Sequence, residues 1–85
     1  MMRVLLRDTR THLFVGPKQH GIPLRVHDRR EAHDFLHVPW ALDASRDLAG
    51  RERLEIILDF GDPEYDLCFH VEAVGRRLGE RRADF

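Results

Sequence analysis

The 85 residues predict an α+β domain: a small, mostly antiparallel sheet of four or five strands in the order ββ(β)αββ, with a broken helix packed on one face. Three observations carry this reading. Apolar-rich segments occur at 3–7 and 12–15, and segments with apolar residues at alternate positions at 54–60 and 65–71, the period of half-buried strands. The stretch with helical spacing, 28–49, lies between them. Short polar turn sequences join the strands within each pair. Two hairpins flanking a helical segment form one sheet with the helix on one side.

Each element follows in order. Residues 3–7 and 12–15 flank Asp8-Thr9-Arg10-Thr11, good turn chemistry. With a four-residue loop, Leu6 faces Leu13, Leu5 faces Phe14 and Val4 faces Val15. Residues 16–23 carry two glycines and two prolines and read as a loop; Leu24-Arg25-Val26-His27 alternates and reads as a short third strand. Asp28 and Glu31 make a capping-box pattern for a helix that sets Ala32, Phe35 and Leu36 on one face. Pro39 disfavours helical geometry at Val38 and opens a second helical stretch, 39–49, with Trp40, Ala44 and Leu48 as its buried stripe, Ala41 beside them, and Gly50 as a left-handed cap. Leu54, Ile56, Leu58 and Phe60 share a strand face. After the turn at 61–64, Tyr65, Leu67, Phe69 and Val71 share another. This register sets Leu58 against Leu67, Ile56 against Phe69 and Glu55 against His70. It also sets Asp59 against Asp66, a like-charge pair that calls for a frayed ladder or a neighbouring arginine, ahead of a bound cation. Residues 1–74 form the single domain, and 75–85 read as a flexible arginine-rich tail around a docked Leu78.

Composition bounds the function. A chain of this length supports one modest core, and 42% hydrophobic with 34% charged residues is the composition of a folded domain. Cys68 is the single cysteine, which excludes an internal disulfide or a thiolate zinc cluster and fits a reducing compartment. No apolar run has the length of a signal peptide or a membrane span, so a cytoplasmic protein without membrane contact is expected. Net charge is -1, which gives no general attraction to nucleic acid. The charge is uneven: +3 over 1–38, -6 over 39–74 and +2 over 75–85.

The opening Val4-Leu5-Leu6-Arg7-Asp8-Thr9-Arg10-Thr11 segment, the Asp28, Glu31, Ala32 and Phe35 helix start, and Glu55-Ile56-Ile57-Leu58-Asp59-Phe60 followed by Asp62-Pro63-Glu64-Tyr65-Asp66 together resemble small bacterial hairpin–helix–strand proteins of unassigned function. The resemblance implies a stand-alone bacterial domain and supplies no activity and no site residues.

The residues themselves raise three chemistries. Six histidines raise metal binding: His33 and His37, four apart on one helix face, with His70, Cys68, His27 or Asp34 completing the set. The glutamate of an HExxH motif is missing, since Ala32 and Asp34 flank His33. Cys68 and His70 share a strand face, where neighbours are too far apart for a nucleophile and its base. Arg76, Arg77, Arg81 and Arg82 form a basic tail that lacks the interleaved aromatics of a nucleic-acid surface. No catalytic constellation and no cofactor are expected. What remains is an outer apolar strip, Leu5, Phe14, Ile57 and Cys68, on the sheet face away from the helices. Such a strip is covered by a second copy, giving a homodimer, or by Val74, Leu78 and Phe85. The sequence therefore reads as a non-catalytic protein-binding or regulatory module, with a metal-binding domain on His33 and His37 as the alternative and weak nucleic-acid contact through the tail as a third reading.

Overall fold

A computed structural model describes residues 1–77. Five strands, β1 (Arg3–Asp8), β2 (Phe14–Gln19), β3 (Ile22–Val26), β4 (Leu54–Asp59) and β5 (Leu67–His70), form one sheet in the order β3-β2-β1-β4-β5. Every neighbouring pair is antiparallel. Helices α1 (Val38–Ser45) and α2 (Val71–Arg77) pack against one face of the sheet. The expected α+β class therefore holds, with all five strands present. No helix among the described residues is long and apolar enough to cross a membrane.

The β4–β5 ladder has the register read from the sequence: Glu55 opposite His70, Ile56 opposite Phe69, Ile57 opposite Cys68 and Leu58 opposite Leu67. It stops short of Asp59 and Asp66. A 3₁₀ turn at Pro63–Tyr65, capped by the Asp62 carboxylate on the Glu64 N–H, replaces the expected pairing of Phe60 with Tyr65. Val71 leaves the strand and opens α2.

The first hairpin differs by two residues. Arg7 pairs with Phe14, because the loop is longer: the Asp8 N–H donates to the Leu13 carbonyl, and Asp8 Oδ1 accepts from the Arg10 and Thr11 N–H groups. A slip of two keeps every side chain on its face, so Val4, Leu6 and Val15 still face the helices while Leu5 and Phe14 face away. Residues 16–23 are not a loop. β2 runs on to Gln19 past a bulge between Val15 and Lys18 and turns at His20-Gly21 into β3. Both turn residues have positive φ, 54° and 78°, the geometry of a two-residue hairpin turn matched to strand twist, for which Gly21 is suited.

The expected helix from Asp28 is a single 3₁₀ turn, Arg29–Glu31, with the Asp28 carboxylate accepting from the Arg30 N–H. The chain then runs on without helix to Leu36, which has a positive φ of 70°, and its course has a physical reason. β1 and β2 share only the one registered pair and then diverge. Residues 33–35 fill the opening: the His33 N–H donates to the Val15 carbonyl at 3.0 Å and the Phe35 N–H to the Val4 carbonyl at 2.8 Å. Asp34 Oδ1 accepts from the Val4 and Leu36 N–H groups, both at 2.9 Å. Ala32 thus packs on the outer face and Phe35 on the helix-side core. A helix would have put both on one side, whereas the sheet has two apolar faces to cover. A Cβ at Gly16 would lie 3.1 Å from the Val26 side chain, closer than ordinary contact, so the glycine lets Val26 pack against β2 there.

Helix α1 begins after an extended His37, with Pro39 in its first turn. It ends at Ser45 rather than continuing to 49, and Gly50 takes the expected left-handed φ of 74° beyond it. Its buried residues are Ala41, Leu42 and Ser45, and Trp40 is 56% exposed. The stripe expected on Trp40, Ala44 and Leu48 is thus rotated, because two small residues four apart let the helix lie close to the sheet. Residues 75–77 belong to α2, with Gly75 buried, so the domain extends past 74. The expectation for 78–85, including Leu78 and Phe85, lies outside the described residues.

Candidate functional site

The outer strip is closed by the chain itself. Leu5 and Ile57 are fully buried and Phe14 nearly so, beneath Ala32 and Val26. The expectation that Leu5, Phe14, Ile57 and Cys68 form an open interface is therefore corrected for the first three, and only Cys68 is exposed. The sequence reading assigned 28–36 to a helix on the other face and so missed the one segment that reaches across.

Charged pairs border this outer core. Arg3 bonds Asp59 at 3.1 Å and Arg7 bonds Glu55 at 3.4 Å, each pair directly opposite across β1 and β4. Arg29 lies between the two aspartates that the register sets face to face. Its guanidinium takes Asp66 with both nitrogens, at 3.0 and 2.7 Å, and reaches Asp59 at 3.4 Å. It also lies 5.7 Å from the centre of the Phe14 ring, and its carbonyl accepts from Arg3 at 2.7 Å. Burial pushes the Asp59 carboxyl up, but the Gly61 N–H, Arg3 and Arg29 together hold it below the usual carboxylate range. The bond to Asp66 leads in raising the Arg29 pKa. Both Asp66 oxygens and Asp59 Oδ1 take Arg29, and Asp59 Oδ2 takes Arg3, which itself bonds the Arg29 carbonyl, so these contacts hold Arg29 and its segment down. The constellation is a clamp, not a set of groups poised for proton transfer.

The candidate metal ligands are not brought together. Without the helix, His33 and His37 share no face. His33 stands edge-on to Phe35 at 4.6 Å, and His37 edge-on to Trp40 at 4.5 Å. His70 Nδ1, on β5, accepts from the Glu72 N–H. Among the described residues no group of three or more His, Cys, Asp or Glu could hold a metal ion. Partial burial of the Cys68 sulfur, with Glu55 beside it, pushes the thiol above its ordinary range, the reverse of what a nucleophilic cysteine requires. Arg76 and Arg77 are exposed at the end of α2; Arg81 and Arg82 lie outside the described residues.

The open apolar surface is elsewhere, at the β5 edge. Leu67 is 49% and Phe69 44% exposed, on the helix side of the last strand, and Phe60 and Tyr65 are exposed nearby. The helices stop short of this strip. A groove of about 570 Å³ runs beside it, lined by Val38, Ile56, Phe69, Ala73 and Val74, with Arg77 at its rim. A second cavity, of about 470 Å³, lies between the β2–β3 hairpin and the end of α1, over Val15, Phe35 and Leu48, with Lys18, His33 and Asp47 among its lining residues. Sequence reasoning placed Leu67 and Phe69 on the buried face. The missing signal was the start of a helix at Val71, which draws the chain away before it covers its own strand.

The two sheet edges contrast. β3 carries Pro23 and Arg25 and lies beyond a bulge, features that discourage further pairing. β5 reads Leu67-Cys68-Phe69-His70 and has none of them. The chain matches no protein-family profile, no curated protein and no solved structure.

Proposed function

We propose that the domain is a non-catalytic protein-binding module whose working surface is the β5 edge, and that its partner presents an extended strand. The observation that carries this reading is the pairing of an unprotected edge with two half-exposed apolar side chains, Leu67 and Phe69, on one face. Strand addition supplies main-chain hydrogen bonds, and alternate side chains supply selectivity. The partner strand carries apolar residues at alternate positions, to continue the Leu67 and Phe69 face. A reducing, cytoplasmic setting, in keeping with the single free thiol of Cys68, belongs to the same reading.

Selection from a displayed random-peptide library tests it. The expected result is enrichment of peptides with apolar residues two apart, whose binding is lost on Leu67→Lys or Phe69→Lys while far-UV circular dichroism is unchanged. A selection that enriches nothing, or peptides indifferent to both substitutions, overturns the reading.

A further inference from the structure

The strand that fits this edge best is one the chain already contains. Resting on the reading above, we propose that the β5 edge is occupied by β5 of a second copy, the two strands running antiparallel about a two-fold axis beside Cys68. The result is one continuous sheet across two protomers.

Symmetry restricts the choices sharply. A two-fold axis perpendicular to the sheet keeps the helix faces of both copies on one side, so a residue can oppose only residues of its own face. Three registers then use the strand. Centring on Leu67 sets Phe69 against Tyr65, which lies in a 3₁₀ turn. Centring on Phe69 sets Leu67 against Val71, which is already helical. Centring on Cys68 pairs residues that are all extended: Asp66 has φ -58° and ψ 135°, and 67–70 are strand.

Side-chain chemistry agrees with that register. On the helix side, Leu67 of each copy meets Phe69 of the other, so four half-exposed apolar groups leave water together. On the outer side, His70 stands opposite Asp66, whose carboxylate stays with Arg29 of its own copy, and the two Cys68 side chains meet on the axis. The groove at Phe69, Ala73 and Val74 adjoins this line and widens the contact beyond the strand. A four-residue strand buries little, so the dimer belongs among weak, micromolar complexes.

Sedimentation equilibrium and cysteine cross-linking of the full chain test the proposal together. The expected result is reversible dimerisation through the micromolar range, abolished by Leu67→Lys. Opposed residues in such a pair have Cα atoms about 4.5–5.5 Å apart, within disulfide reach. Diamide should therefore link the native chain through Cys68. In a Cys68→Ser background, chains carrying Leu67→Cys should link several-fold better to chains carrying Phe69→Cys than to themselves. A chain monomeric at high micromolar concentration, or Leu67→Cys chains linking to themselves as well as to Phe69→Cys, overturns the proposal. A monomeric chain that still selects peptides through Leu67 and Phe69 overturns the dimer alone and leaves the binding reading standing. Failure of both assays removes both.

Discussion

Replacing Arg29 with alanine removes the cation that stands between Asp59 and Asp66. Asp66 loses bonds of 2.7 and 3.0 Å, and Asp59 loses one of its two arginines, at 3.4 Å. The carboxylates are mostly buried, with side-chain exposures of 5% and 10%, and Arg29 is 22% exposed. Stripping one partner from a fully buried pair costs about 3–5 kcal/mol. An exposed pair is worth at most about 1 kcal/mol. This intermediate burial sets the loss at about 2–3 kcal/mol, including the Phe14 contact. A domain of this size has about 4–12 kcal/mol in all, so the loss is large. The sign with pH is fixed as well. The Asp59 pKa is lowered by folding, so its stabilisation is complete above the unfolded value of about 3.9 and is lost as pH falls through the folded pKa. In Arg29→Ala two facing carboxylates repel at neutral pH, and protonation relieves them. The stability gap between variant and parent should therefore narrow from neutral pH toward pH 4. Urea unfolding at both pH values measures it. A loss under about 0.5 kcal/mol at neutral pH, or a gap that widens in acid, would refute the clamp.

Phe14→Glu should unfold the domain, since it puts a carboxylate into the closed outer core, and circular dichroism should show loss of structure at every concentration rather than a folded monomer. Asp34→Ala unties the Val4 and Leu36 N–H groups and should cost about 1–3 kcal/mol by thermal or urea unfolding, while the isosteric Asp34→Asn, which keeps an acceptor oxygen, should cost less. Gly21→Ala, at φ 78°, should cost about 1 kcal/mol, read as a lower melting temperature. Iodoacetamide should modify Cys68 more slowly than a free thiol at pH 8, because partial burial and Glu55 raise its pKa. Glu55→Gln should speed the reaction.

How much of this was legible in the sequence depends on whether local chemistry or the global path decided each element. The β4–β5 register was legible because apolar alternation, turn length and the Glu55–His70 pair all agreed. The Asp59–Asp66 conflict was legible too, with a frayed ladder or a neighbouring arginine as the expected remedies, and the structure has both. That the arginine would be Arg29 was not, because the partner comes from a segment read as helix. Asp28 does cap, its carboxylate accepting from the Arg30 N–H, yet it caps only one turn. Propensity over ten residues is weak against the need to cover two sheet faces, and Ala32 and Phe35 serve opposite ones. The same oversight left Leu5, Phe14 and Ile57 exposed on paper and hid the uncovered pair, Leu67 and Phe69. The histidine hypothesis depended on the same helix and lost its geometry with it. Trp40 shows a smaller failure: spacing set Ala41 at the border of a stripe centred on Trp40, whereas Ala41 and Ser45 lie at the centre of the face that meets the sheet and Trp40 lies outside it.

The central claim is that the β5 edge, and not the outer face of the sheet, is the surface through which this domain binds. A dilution series of amide chemical shifts, from millimolar to low micromolar protein, tests it residue by residue. The account predicts shifts concentrated at Asp66–His70, with smaller ones at Val38 and Val74, and none at Leu5, Phe14 or Ile57. Shifts centred on the outer-face residues would contradict it, and a spectrum that does not change on dilution would remove the dimer alone.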